Sequence, residues 1–419
     1  MIMHVLILLT GLVIYAGYGL TGLGYLLAVT LLSYLAGLWI PKHRWIMWVS
    51  VGLQTAALLL LKLPVGSRFG VLAPMGMSYF TLQIISYHVD LYRGSYAPER
   101  NLLHYGLFVT YLPHLSMGPI ERFPAMSAAL RARRITWHGI SHGGARLLWG
   151  LFKKLVIAAR AGVIVSAISA DPAQYRGAYA LAAMLLYAVQ LYADFSGAMD
   201  MVLGGSEMLG LRLSENFDRP YFSESFQEFW RRWHITLGTF LREYVYIPLG
   251  GNRKGKMRKV LNLIVTFLVS GLWHGVQYLL WGLLHGLFVA VGSKLKTPIK
   301  TLNRTGTFLL VTLLWSFFVW PDTLTALKMV VSVFTSFQFS AFAAGIGGMG
   351  LEAGEWIVLG GGMLVLWGGD LFREKLETGF GRLGPAGRVA LIGALGLVIL
   401  VFGMYGIGFD ASAFIYSKF

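Results

Sequence analysis

Residues 260–291 read VLNLIVTFLVSGLWHGVQYLLWGLLHGLFVAV, without one Asp, Glu, Lys or Arg. The hydrocarbon core of a bilayer takes about 20 apolar residues per helical pass. We read this stretch as two spans, 260–275 and 277–293. Working outward, similar runs cover 2–18, 22–40, 44–62, 70–90, 102–118, 145–167, 178–203, 306–320, 356–370 and 389–408. Several are short or Gly-rich, and the stretch around Pro74-Met75-Gly76 is a candidate re-entrant segment. The expectation is an all-α polytopic membrane protein with about 10 to 12 crossings.

Composition agrees. Of 419 residues, 56% are hydrophobic and 13% charged, against about 25% charged in a soluble globular chain. A soluble enzyme is excluded, and so is a disordered chain, which needs low hydrophobicity. The 52 glycines and 13 tryptophans suit membrane helices and their interfaces. A net charge of +16 fits basic cytoplasmic loops facing anionic lipid, with room for an anionic cytoplasmic ligand. Nucleic acid is not expected, because the basic residues are divided among loops. With no cysteine, disulfides and thiolate chemistry are excluded. The apolar N-terminus lacks a basic flank and reads as a retained span.

Loop charge gives an orientation. Lys294, Lys296, Lys300 and Arg304 mark one cytoplasmic loop, and Arg373, Lys375, Arg382 and Arg388 another. The Pro321-Asp322 turn then lies outside, 324–336 lies along the outer surface, and the C-terminus ends outside. The polar stretch 212–259 holds ten Lys or Arg and five acids with interleaved Trp and Phe. Within it, 222–247 reads as amphipathic helices at the inner interface.

Four constellations carry chemistry. His274 lies at membrane depth, where an ionisable side chain is costly. Its imidazole can take and return a proton, as acyl transfer to a hydroxyl requires. The alternative is a histidine bonded between helices or one sitting at the interface. His234, in Phe229-Trp230-Arg231-Arg232-Trp233-His234, is a second candidate, with an interfacial histidine as the alternative. His285, eleven residues after His274, could line the same cavity on an unbroken helix, but reads as structural. Asp194 and Asp200 read as ion-paired or capping acids, with Asp194 also a candidate to orient a histidine. Gly250-Gly251-Asn252-Arg253-Lys254 is a Gly-rich basic loop suited to phosphate, without P-loop spacing. No metal-binding motif and no Gly-x-Ser-x-Gly elbow occurs, so no metal is expected.

These motifs, with Gln190 to Gly197, Glu215 to Tyr221, Leu241-Arg242-Glu243-Tyr244 and Gly271-Leu272-Trp273-His274-Gly275, resemble the membrane-bound O-acyltransferase (MBOAT) family. So do Pro74 to Gln83, Asp90 to Gly94 and Pro113 to Phe123. The resemblance runs from about residue 70 to the end and is closest to the alginate O-acetylation type within the branch that acylates cell-envelope polymers. It implies an MBOAT-type helical bundle around a central funnel. It also implies a single domain over 1–419, with N-terminal spans in 1–65, a catalytic core in 70–300, and C-terminal spans and an external tail in 301–419.

By position, the resemblance makes His274 the catalytic histidine and His234 the second motif histidine, with Trp273 and Asp194 in support. Arg231, Arg232, Arg242, Asn252, Arg253 and Lys254 become donor-binding candidates. The tail Phe414 to Phe419 resembles a C-terminal motif of the branch, which makes Tyr416 a candidate acyl relay. The implied donor is acetyl-CoA, with no permanently bound cofactor. The implied partners are membrane lipid, a polysaccharide acceptor and an extracytoplasmic acetyltransferase of SGNH type, at a bacterial cytoplasmic (inner) membrane. The run Trp315-Ser316-Phe317-Phe318-Val319-Trp320 lacks an Arg that the family often carries there. Alternatives are D-alanyl transfer to teichoic acid and a transporter using intramembrane histidines for proton relay.

Overall fold

The computed structural model describes residues 2–62, 74–292 and 297–405. Among them no strand occurs. The only β-type pairing is an isolated antiparallel bridge between Phe217 and Trp233. The helices fall where hydropathy places them: Ile2–Ala16, Leu20–Trp39, Trp45–Lys62, Met77–Arg93, Ala178–Met208, Lys256–His274, Leu279–Val291, Lys300–Val319, Ala353–Leu371 and Pro385–Phe402.

Four of the described helices are long and apolar enough to cross a membrane, or up to six if each of two bent pairs is one span. Shorter apolar helices cover Ile2–Ala16, Trp45–Leu60 and Val276–Val291. The 324–336 stretch is the helix Thr323–Thr335, which turns by 113° into Phe339–Gly348, a broken span or a re-entrant loop. Leu31, Leu32, Leu35, Trp48 and Leu53 are exposed on their helices. In water such a surface would drive aggregation, whereas lipid tails are as apolar as leucine.

The described residues cluster into two compact units. The first is Met1–Ile140 with Ser206–Glu215 and Thr236–Gly251. Its core is an aromatic knot in which the Tyr87 ring lies 5.0 Å from both Tyr105 and Phe123. Gly37 admits that ring, since a Cβ there would stand 2.7 Å from Tyr87 Cε1. Buried polar groups are satisfied in pairs, as a low-dielectric interior demands. The His88 ring nitrogens bond Ser50 Oγ and the Ser33 carbonyl, each at 2.9 Å. Burial raises the Glu121 carboxyl above its ordinary range, opposed by bonds from the Ser214 N–H and hydroxyl. At the Pro74-Met75-Gly76 turn, Gly76 has φ 74°, and a Cβ there would meet the Leu115 carbonyl oxygen at 2.4 Å. Only glycine meets both demands.

The second unit is Ser141–Gly205, Asn216–Ile235 and Asn252–Phe419. Two helix pairs in it meet backbone to backbone. A Cβ on Gly150 would stand 2.4 Å from the Gly197 carbonyl oxygen, and one on Gly204 would stand 2.4 Å from that of Gly143. A Cβ on Gly271 would meet the Tyr278 carbonyl oxygen at 2.5 Å, and one on Gly282 would meet that of Phe267 at 2.4 Å. Small residues permit this approach where lipid offers no hydrophobic drive for helices to associate.

A π-helical turn, Lys153–Ala158, interrupts the first pair and places both lysines inside. Lys154 Nζ bonds Asp194 Oδ1 at 2.9 Å, and Arg146 Nε bonds Asp200 Oδ1 at 2.9 Å. Lys153 also pairs with Asp200 and donates to Ser196 Oγ at 2.9 Å. The two acids are thus ion-paired, as charges buried away from water must be.

Candidate active site

His274 is the last residue of the helix Lys256–His274. Gly275 ends that helix with φ 148°, a value open to glycine. The break turns the chain back as Leu279–Val291. The His274 imidazole is buried, with the Trp273 ring 4.7 Å away and the Trp281 ring 5.5 Å away, both edge-on. Phe318 adds a further edge at 5.9 Å.

His234 reaches the same cluster from a different part of the chain. The segment 216–235 closes on itself, since Ile235 N–H donates to the Asn216 carbonyl at 3.0 Å and Asp218 N–H to that of Arg232 at 2.9 Å. At the closure His234 takes φ 46°, a left-handed conformation that few non-glycine residues adopt, histidine more often than most. Its Nδ1 lies 3.3 Å from Asn216 Oδ1, and the Phe195 ring packs edge-on at 5.0 Å. Burial pushes its pKa down to about 3, so the ring is neutral near pH 7. Trp273 lies 6.3 Å from the His234 ring and 4.7 Å from that of His274, so a single indole touches both histidines.

His285 joins them. It shares no continuous helix with His274, because Gly275 breaks it, yet Trp281 contacts both, at 4.7 Å from His285. Trp230 and Trp315 complete the aromatic wall. Sequence reasoning singled out neither Trp281, Trp230 nor Phe318 as site residues. Their convergence depends on the helix break, which leaves no periodic signal.

The remaining candidates are dispersed. Asp194 is held by Lys154, while its neighbour Phe195 packs on His234. Arg232 pairs with Glu228 at 2.7 Å, and Arg231 is exposed. Asn252, Arg253 and Lys254 lie together on an exposed turn. Arg242 belongs to the first unit and pairs with Glu243 at 3.2 Å. Tyr416 and the rest of the tail, with Lys294 and Lys296, lie outside the described residues. No group of three or more His, Cys, Asp or Glu among the described residues is arranged to hold a metal ion.

An all-helical, multi-pass membrane protein with a buried histidine pair around one tryptophan defines the class. The family model described as MBOAT, membrane-bound O-acyltransferase family, matches residues 12–336. The chain belongs to the membrane-bound O-acyltransferase family and is an acyltransferase. It is similar to a probable alginate O-acetylase, AlgI, of Pseudomonas fluorescens, with 37% identity over 358 residues, 80% of this chain and 71% of the relative. It is also similar to the peptidoglycan O-acetyltransferase of Helicobacter pylori, at 34% identity over 62% of this chain and 56% of the relative. A teichoic acid D-alanyltransferase of Streptococcus thermophilus is 25% identical over 62% of this chain and 67% of the relative.

Proposed function

We propose that the chain, in a bacterial cytoplasmic membrane, moves an acetyl group from a cytoplasmic thioester to an extracytoplasmic acceptor, for O-acetylation of a secreted or cell-wall polysaccharide. The observation that carries this reading is the indole of Trp273 in contact with both His274 and His234. His274 is the general base. It takes the proton of an attacking hydroxyl as that oxygen adds to the thioester carbonyl. The carbon–sulfur bond then breaks, and the departing thiolate recovers the proton. The aromatic wall keeps bulk water from competing as acceptor.

Acetyl-CoA suits the donor role, because its phosphates are attracted to the exposed Arg253 and Lys254 and to Arg231. The attacking hydroxyl is that of Tyr416, of a serine on an extracytoplasmic SGNH-type partner, or of the glycan. Greater identity to the acetylating relatives than to the D-alanylating one favours acetyl over D-alanyl.

The test is incubation of purified protein with acetyl-labelled acetyl-CoA, comparing wild type with His274→Ala and Tyr416→Phe. Thioester cleavage that needs His274 supports the reading, and label lost with Tyr416→Phe supports the relay. Cleavage surviving His274→Ala removes His274 from the chemistry. No cleavage by wild type moves the donor to a carrier-bound D-alanyl thioester.

A further inference from the structure

His285 is fully buried, and its hydrogen bonds fix which nitrogen carries the proton. Trp230 Nε1 lies 3.1 Å from His285 Nδ1 and can only donate. Nδ1 must therefore accept, and the proton of the neutral ring sits on Nε2. Among the described residues, that Nε2–H has no hydrogen-bond partner, and neither has the Nε1–H of the adjacent Trp281. The two rings are 4.7 Å apart, and Trp281 in turn lies 5.5 Å from His274. An unmade hydrogen bond on a buried donor is costly. The indole N–H groups of Trp315, Trp320 and Trp356 also lack a partner among the described residues, and what sets this pair apart is the contact of Trp281 with the ring of His274. Here the two donors belong to rings in contact, and one of those rings also contacts the proposed base.

We propose that His285 is a catalytic residue whose Nε2–H, with the Trp281 Nε1–H beside it, donates to the carbonyl oxygen of the acyl thioester. This rests on His274 acting as the base. As the hydroxyl oxygen adds to the carbonyl carbon, its proton passes to His274. The carbonyl π pair moves onto oxygen, and the two N–H groups hold that oxyanion until the carbon–sulfur bond breaks. Fixed donors in a water-excluded pocket suit this task, because they need no reorganisation when the charge forms. Trp281 contacts both His285 and His274, and the Phe318 ring packs against Trp281 and His274.

The experiment measures kcat and KM for acetyl-CoA cleavage by the full-length protein. His285→Asn keeps an acceptor for Trp230 and removes the Nε2 donor. His285→Gln restores an N–H near the Nε2 position. Trp281→Phe keeps the ring and removes its N–H. His285→Asn is expected to lower kcat by about 10²–10³-fold at unchanged KM, as loss of an oxyanion donor does. His285→Gln should recover at least about tenfold of that loss, and Trp281→Phe should lower kcat by at least about tenfold.

Wild-type kcat in His285→Asn overturns the proposal, as does a folded His285→Gln no better than His285→Asn. If His285→Asn does not fold, wild-type kcat in Trp281→Phe overturns it. A merely structural His285 would instead lower thermal stability in step with activity. Cleavage that survives His274→Ala defeats the base assignment separately. A carrier-bound D-alanyl thioester presents the same carbonyl, and the same comparison applies to it.

Discussion

His234 combines a demanding backbone with a demanding side chain. Its φ of 46° lies where β-branched residues are strained, while asparagine, like histidine, is enriched there. His234→Asn should therefore leave the melting temperature of purified protein nearly unchanged. It should lower acyl transfer by about 10²-fold or more, the usual contribution of a proton-handling side chain. His234→Val should instead destabilise by about 1–2 kcal/mol, because it forces a β-branched residue into the left-handed region. Equal activity in the asparagine variant and wild type would confine His234 to a packing role. His274 was marked out in the sequence as an ionisable residue in an apolar run, while His234 lay in an amphipathic Trp-Arg-Arg-Trp-His run and was singled out by the family resemblance. The left-handed turn at His234 was not legible, because it arises where Ile235 and Asn216 close the segment, a contact that spacing does not encode. Asp194 and Asp200 were read as ion-paired, and Lys154, Lys153 and Arg146 supply the pairs.

At the scale of helices, hydropathy placed the apolar runs well, because burial in lipid selects side chains one by one. It missed the interruptions. The run at 102–118 is two helices, Leu102–Thr110 and Leu112–Met117, and 145–167 contains the π turn at Lys153. Such breaks follow from local packing and leave hydropathy unchanged. The glycine seam makes a sharp prediction. Gly282→Leu would drive a side chain into the Phe267 carbonyl and should cost about 1–3 kcal/mol from overpacking, read by thermal unfolding in detergent, with loss of activity. Gly306→Leu, on the helix Lys300–Val319 with nothing near its Cβ position, is the control and should be tolerated. The buried charges make another. Asp200→Asn leaves Lys153 and Arg146 short of a counter-charge and should cost about 3–5 kcal/mol. Adding Lys153→Met should recover part of that loss.

For the molecule as a whole, the absence of cysteine allows orientation to be read one residue at a time. Pro321→Cys and Arg253→Cys each introduce one thiol at an exposed position. In intact spheroplasts an impermeant maleimide should label position 321, and position 253 only after permeabilisation. The reverse pattern would invert the proposed orientation. Loop charge offers an orientation from sequence because the asymmetry of Lys and Arg is read without any knowledge of packing, and the labelling pattern is its test. A shared cavity for His274 and His285 was readable only as a matter of one unbroken helix; their meeting through Trp281 was not legible, since it needs the chain to reverse at Gly275. That reversal, with Gly271 and Gly282 pressed against the partner backbone, also decides how the second unit can move. A joint without side chains has no rotamers to absorb sliding, so the two helices must travel as one rigid body.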